Sequence, residues 1–430
     1  MKRVLCRRAA CTAAVIALFN LKAFAETPQL TLDQALRIFR ASAFDLLIAD
    51  AAIESARADV TIAAAVPNPS LSISSGASST YDPSLCAGCS NRSVSAGISD
   101  GAISDVISGR RRLRESFARA GLDVARASRA DVERMLELTL KQQFLQAELA
   151  RKSFAFAREA EALSTAAFEL TQTRYRAGAI SEADVARADV QRLEAKQAVD
   201  AAAQAFDAAR SQVAFLLGMK GARPEAIEVA DDLTRTAPLS VTREDLRRQA
   251  LDRRPDLAEA RSQIARVQSS IDLARRQRIP DFSPSLQYSR EGRGQSAIQP
   301  PTVTFGVTAS LPVFYRYRGE IAKAEADLVA QEAARSKIEA QVDADVNASF
   351  AAFTAARSRA DRMQSQLLSQ AARARDLVRL QYEKGSASLF EFLDAQRTFL
   401  ATQNEFLQNL NDYWSAVFQL EQATGMEFRQ

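Results

Sequence analysis

Hydrophobic positions along the chain recur with two different periods. The longer one is helical. Residues 122–177, 179–217, 320–384 and 386–424 contain neither proline nor glycine. Within them apolar side chains return at heptad-like spacing, as at Leu163, Ala167 and Leu170 and again at Leu367, Ala371, Ala374 and Leu377. The runs are rich in Ala, Glu, Arg, Gln and Leu, the strongest helix formers. A helix over 320–384 would be about 98 Å long at ~1.5 Å per residue. An ordinary coiled coil is the plainer alternative, but it leaves unexplained the glycines that bracket each run.

The shorter period is two. Leu71 and Ile73 alternate with Ser70, Ser72 and Ser74, and Val94, Ala96 and Ile98 alternate with Ser93, Ser95 and Ser99. Later, Leu286 and Tyr288 alternate with Ser285, Gln287 and Ser289, and Val303, Phe305, Val307, Ala309 and Leu311 alternate with threonines, a glycine and a serine. Such alternation predicts four strands with one apolar and one hydroxylated face. A soluble hairpin, the competing possibility, would carry charges on its exposed face, and these segments carry almost none. Lipid on one side and water on the other fits better. Four strands cannot close a water-filled barrel, and open edges in hydrocarbon are costly. Three copies around an axis would supply twelve strands.

The two periods occur in the same order twice. Arg174-Tyr175-Arg176-Ala177-Gly178 lines up with Gln381-Tyr382-Glu383-Lys384-Gly385, and at the same offset Ser181 meets Ser388, Ala188 meets Ala395 and Gly218 meets Gly425. Upstream, Asp45-Leu46 corresponds to Asp256-Leu257, Pro69-Ser70-Leu71 to Pro284-Ser285-Leu286, and Ala118-Arg119-Ala120 to Ala322-Lys323-Ala324. The predicted organisation is a first repeat over 26–220, a linker over 221–241 and a second repeat over 242–430, each repeat being a helix, a β-hairpin and a long helical hairpin.

Residues 1–25 predict an export signal. Lys2, Arg3, Arg7 and Arg8 precede the apolar stretch Ala9–Phe19, and Ala23-Phe24-Ala25 fits a small-x-small cleavage site. The context of Cys11 is a poor one for lipid modification, and no later stretch is long and apolar enough for a transmembrane helix. The net charge of +4 includes five basic residues in that segment, so the remainder stands near −1 and offers nothing to a nucleic acid. Histidine is absent from all 430 residues, which excludes imidazole ligands and His-dependent catalysis. No phosphate loop, nucleophile elbow or metal-ligand cluster is present. The sequence therefore predicts no enzyme and no cofactor.

This order of elements resembles the TolC-type outer-membrane efflux proteins over nearly the whole mature chain. The carrying motifs are Arg174-Tyr175-x-x-Gly178-x-x-Ser181 with Asp184, and Gln381-Tyr382-x-x-Gly385-x-x-Ser388 with Glu391 and Asp394. Pro67-Asn68-Pro69 and the stretch from Leu311-Pro312-Val313-Phe314 to Ala324 add to them, the latter being similar to the CzcC-like heavy-metal efflux subgroup. The chain departs from many relatives in lacking a lipobox, and it has no histidine. The resemblance implies a mainly α protein with a small membrane β part. Long helical hairpins would form a periplasmic tunnel, and a homotrimer would carry a twelve-strand barrel in the outer membrane. It further implies docking to a periplasmic adaptor (membrane fusion protein) and an inner-membrane RND pump. The expected cargo is heavy-metal cations, with organic compounds as the alternative. A periplasmic coiled-coil adaptor is a more distant alternative, because two hairpins and four hydroxyl-rich strands speak against it.

The same resemblance supplies candidate residues. Glu391 and Asp394, three apart on one helix face, would narrow the periplasmic entrance as a ring of carboxylates, with Asp184, Tyr175 and Tyr382 beside it. The plainer alternative for the two carboxylates is a solvated face. For the tyrosines, hydrogen bonds holding a closed state and simple ring packing both remain open. The turns at Gly178, Ser181, Gly385 and Ser388 are the expected adaptor contact. Cys86 and Cys89 predict a local disulfide, with free thiols or a weak surface metal site as alternatives. Arg110-Arg111-Arg112-Leu113-Arg114 follows the second strand and reads either as a contact to anionic lipid or as a solvated turn.

Overall fold

The structure is a computed structural model and describes residues 29–77, 84, 90–221, 223, 227–231, 242–292 and 300–428. The expected signal segment, Cys86 and Cys89 lie outside the described residues. The elements run β1 (Gln29–Leu30), α1 (Leu32–Ser42), α2 (Phe44–Ala64), β2 (Ser70–Ala77), β3 (Arg92–Ser99), α3 (Ala102–Ile107), α4 (Arg110–Arg176) and α5 (Glu182–Leu216). They continue with β4 (Glu228–Val229), α6 (Arg243–Arg253), α7 (Pro255–Arg276), β5 (Asp281–Glu291), β6 (Thr302–Ser310), α8 (Arg318–Arg362), a π turn (Met363–Leu367), α9 (Leu368–Glu383) and α10 (Leu389–Thr424).

Local chemistry sets the helix starts. Thr31 caps α1 in a reciprocal box with Gln34, and Thr242 caps α6 by accepting from the Asp245 amide. Pro255 occupies the first turn of α7, where its missing N–H is no loss. Two helical boundaries differ from the sequence expectation. Helix α4 starts at Arg110 rather than after Gly121, because one glycine inside a 67-residue helix costs only about 1 kcal/mol against a long packed face. The run 320–384 is not one α-helix. The ladder opens at Met363–Leu367, where Leu368 donates five residues back to the Met363 carbonyl. Absence of proline and glycine carries no information about such a turn.

The four alternating segments form one antiparallel sheet in the order β2-β3-β5-β6, so the two hairpins are neighbours and β2 and β6 are its edges. Register puts like with like. Leu71, Ile98, Leu286 and Phe305 share one row, and Ile73, Ala96, Tyr288 and Val303 the next. The opposite face stacks Ser70, Ser99 and Ser285, then Ser72, Gly97, Gln287 and Thr304, then Ser74, Ser95, Ser289 and Thr302. Hydroxyl pairs bridge strands on that face at 2.7 Å, Ser70 to Ser99 and Ser74 to Ser95. The apolar rows are uncovered in the single chain, with Leu71, Ile73 and Phe305 each more than 70% exposed.

The arginine run after the strands is spent internally. Arg110 pairs with Asp281, Arg111 donates to the Ala64 carbonyl at 2.7 Å, and Arg114 grips Asp105 through two contacts of 2.6 Å. Three of its four guanidiniums therefore fasten helices to the base of the sheet instead of reaching for lipid.

The main core lies midway along the rods, where α1, α6 and the parallel pair β1–β4 pack on them. Phe39, Phe144, Leu217, Tyr413 and Phe418 are buried there. Arg134 and Arg254 finish α10 by donating to its last-turn carbonyls, Gln422 at 2.9 Å and Ala423 at 3.4 Å. Beside them Lys141 and Glu421 form a buried pair at 2.7 Å.

Candidate functional site

The far ends of the two helical hairpins carry the predicted tip residues. Each outgoing helix stops in the same way. Gly178 and Gly385 take φ of 72° and 81°, a region closed to most side chains. The two hydrogen bonds of a Schellman turn follow. Gly178 donates to Tyr175 at 2.8 Å and Ala179 to Arg174 at 2.9 Å, while Gly385 donates to Tyr382 at 3.0 Å and Ser386 to Gln381 at 2.9 Å.

Each returning helix then opens on a capping box. The Ser181 hydroxyl accepts from the Asp184 amide at 3.3 Å, and the Asp184 carboxylate accepts from the Ser181 amide at 3.3 Å and from its hydroxyl at 2.8 Å. Ser388 and Glu391 repeat the arrangement, the carboxylate accepting from the Ser388 amide at 2.7 Å and its hydroxyl at 2.9 Å. Ser181 and Ser388 thus act first as helix caps. Hydrogen bonds from the Ser181 hydroxyl and then its amide hold the Asp184 carboxyl below its ordinary 3.8. The Ser388 amide and then its hydroxyl hold Glu391 below its ordinary 4.5.

The gate candidates are divided by the structure. Glu391 is turned back onto its own helix end. Asp394 pairs with Arg397 at 2.8 Å on the same helix and stays half-exposed. Asp184 and Asp394 meet across a groove of about 670 Å³ between the first turns of α5 and α10, with Arg187, Val190, Phe390 and Leu393 among its walls. Arg187 reaches Asp184 at 3.4 Å.

The two tyrosines are not equivalent. Tyr175 is 43% exposed, whereas Tyr382 is 1% exposed in a small core with Ala167, Leu389, Phe392 and Leu393. Its ring stacks on Phe392 with centroids 5.0 Å apart and planes 1° from parallel. Arg174 from the other hairpin lies over it, 4.6 Å from the ring centroid, and donates to its backbone carbonyl at 3.0 Å. The Tyr382 hydroxyl is buried with no hydrogen-bond partner among the described residues. Within the chain the contact is ring packing and cation–π attraction, not the hydroxyl bond considered from sequence.

Sequence reasoning passed over Arg174, Phe392, Arg187 and Arg397. Arg174 stood inside the quoted tip motif, but nothing in the linear pattern tells which hairpin it leans on. Phe392 lies four residues after the cap Ser388, a position whose inward face follows only from the helix start.

Among the described residues no group of three or more His, Cys, Asp or Glu is placed to hold a metal ion. Nor is any of their helices long and apolar enough to cross a membrane.

With this geometry in hand, comparisons with known proteins agree on one architecture. A family model described as "Outer membrane efflux protein" matches residues 35–219 and 246–426. The cobalt-zinc-cadmium resistance protein CzcC of Cupriavidus metallidurans is 23% identical over 92% of this chain and 90% of its own length. The pyoverdine export outer membrane protein OpmQ of Pseudomonas aeruginosa is 27% identical over 88% of this chain and 81% of its own. Among solved structures, CusC superposes with a TM-score of 0.76 at 18% identity, covering 95% of this chain and 96% of that one.

Proposed function

This chain belongs to the outer membrane efflux protein family, and on that premise we propose that it is the exit duct of a tripartite efflux system driven by an RND pump. The observation that carries the proposal is the sheet. One face is apolar and uncovered, the other is hydroxylated, and both edges β2 and β6 carry open backbone groups. In hydrocarbon each unpaired backbone group costs several kcal/mol, so the edges require partners. Joining β6 of one copy to β2 of the next around a threefold axis pairs them all and makes a twelve-strand barrel. The apolar rows then face lipid and the hydroxyl rows water. The helical rods continue the bore through the periplasm, and the exposed second-repeat stripe of Leu367 and Leu377 meets a neighbouring copy.

Conduction in such a duct needs a wetted wall and an opening mouth, with no covalent step. The mouth is the tip end. There Asp394 and Asp184 supply carboxylates, Tyr382 and Arg174 hold the two hairpins together, and Tyr175 faces outward. The turns Gly178–Ser181 and Gly385–Ser388, with the groove between α5 and α10, receive the helical tip of a periplasmic adaptor.

Heavy-metal cations are the first choice of cargo, from the resemblance to CzcC. Organic compounds are the second, and two observations favour keeping them. OpmQ is a pyoverdine exporter by name, and the hydroxyl face of the sheet carries no charge between Asp281 and Glu291, so it filters neither sign. Purified mature protein should form trimers with discrete conductance in planar bilayers. A deletion strain should lose tolerance to cobalt, zinc or cadmium. Loss of tolerance to organic compounds alone would move the cargo assignment, and absence of conductance would overturn the duct.

A further inference from the structure

The lipid-facing side of the sheet is not uniformly apolar. From the helical end outward its rows read Phe282 and Ala309, Pro284 and Val307, Leu286 with Phe305, Ile98 and Leu71, then Tyr288 with Val303, Ala96 and Ile73. The next row is Arg290 with Val94 and Ser75, and the one beyond holds Arg92 with Ala77. No other charged residue lies on this face of the four strands. Glu291, next to Arg290 in sequence, points to the opposite face by strand alternation. Both arginines are exposed, and neither joins an ion pair among the described residues.

Their depth is informative. Eight residues separate Phe282 from Arg290, about 26 Å of strand at ~3.3 Å per residue. A tilt of ~40° makes that about 20 Å across the membrane, and Arg92, one row farther, stands at about 25 Å. The apolar band of an outer-membrane barrel is about 25 Å tall. The two guanidiniums therefore sit at its outer rim, above an aromatic side chain at Tyr288, as the hairpin ends of the sheet face away from the helices. The outer leaflet there consists of glycolipid whose sugar headgroup carries phosphates. A guanidinium matches a phosphate by paired hydrogen bonds as well as charge. Burial of two unpaired arginines against acyl chains would be unfavourable, whereas at headgroup level the same charges are satisfied.

We infer that Arg92 and Arg290 form a binding site for the phosphates of an outer-leaflet glycolipid, one site per protomer on the lipid-facing wall. The inference rests on the membrane-spanning barrel proposed above. Its test titrates detergent-extracted mature trimer with bisphosphorylated lipid A, with dephosphorylated lipid A and with inorganic phosphate, reading bound adducts by native mass spectrometry. Each arginine near an anionic surface contributes a factor of about five. The double variant Arg92→Gln, Arg290→Gln should therefore bind bisphosphorylated lipid A roughly 25-fold more weakly, with trimer and conductance unchanged. Should the double variant not assemble, Arg290→Gln alone should bind it about fivefold more weakly than wild type, and Arg290→Lys, which keeps the charge but loses the paired hydrogen bonds, should fall between the two. Equal binding by wild type and double variant, or equal binding of dephosphorylated lipid A, would overturn the site. Arginine-dependent binding of inorganic phosphate that matches lipid A would reassign it to a free ion. A wild-type chain that forms no trimeric channel would instead refute the barrel.

Discussion

Replacing Arg174 by alanine should open the tip. The side chain crosses from the first hairpin to the second, where it donates to the Tyr382 carbonyl at 3.0 Å and covers the ring at 4.6 Å. A hydrogen bond from a charged donor contributes about 1.5–3 kcal/mol and a partly exposed cation–π contact about 0.5–1. Because Arg174 is half-buried, the lower ends apply, giving about 2 kcal/mol per protomer. That is roughly a 30-fold shift in the ratio of latched to unlatched tips. If three protomers part together, the shift per channel approaches about 6 kcal/mol. Single-channel recording reads this directly as a larger conductance or open fraction, and entry of a large hydrophilic antibiotic reads it in cells. Arg174→Lys should fall between, since an ammonium keeps charge but loses the planar stack. An Arg174→Ala channel with wild-type conductance and open fraction would refute the latch.

Other outcomes follow from the same contacts. Lys141→Met leaves Glu421 buried without its counter-ion, keeping the Phe428 amide at 2.8 Å, and should cost about 3 kcal/mol, seen as a lowered thermal transition in detergent; replacing both partners by apolar residues should restore most of it, and an unchanged single variant would show the pair to be solvated. Asp394→Asn should weaken divalent-cation block of single-channel current, and adding Glu391→Gln should change it little further, because Glu391 is bound to Ser388; the reverse ranking would return Glu391 to the aperture. Acid should loosen the tips. Asp184 and Glu391 have lowered pKa values in the folded state, so their capping stabilisation is complete above the ordinary values of 3.8 and 4.5 and fades as pH falls through the lowered ones. Protection of the Ser181 and Ser388 amides, taken relative to their intrinsic exchange at each pH, should therefore fall below that range, and pH-independent protection would contradict the capping boxes.

The sheet and the rods were legible in the sequence because each rests on a period. Serine alternation from Ser70 to Ser74 states both that a strand exists and which side carries the hydroxyls. Breaker-free runs ending at Gly178 and Gly385 state where rods reverse. What stayed hidden depends on phase or on partners distant in sequence. The π turn at Met363–Leu367 has no breaker to mark it. The roles of Arg110, Arg111 and Arg114 turn on Asp281, Ala64 and Asp105, which no local pattern connects. At the tip, the linear match of Tyr175 with Tyr382 suggested equal roles, yet one ring is exposed and the other stacked on Phe392. Repeats share spacing, but where the first tip has Arg174 reaching across to Tyr382, the second has Gln381 at the matching position. Glu391 and Asp184 were visible as carboxylates in the first turn, and the serine three residues before each already carried the capping-box signature.

The central claim is that edges β2 and β6 pair between copies of the chain in the outer membrane. Cysteine pairs scanned along β2 from Leu71 to Ser75 against β6 from Val303 to Val307, oxidised in intact outer membranes, test it most directly. At one register the pairs should yield covalent dimers and trimers on a non-reducing gel, with the trimer as the upper limit. A ladder that continues past the trimer, or monomer at every register, would contradict a closed twelve-strand pore.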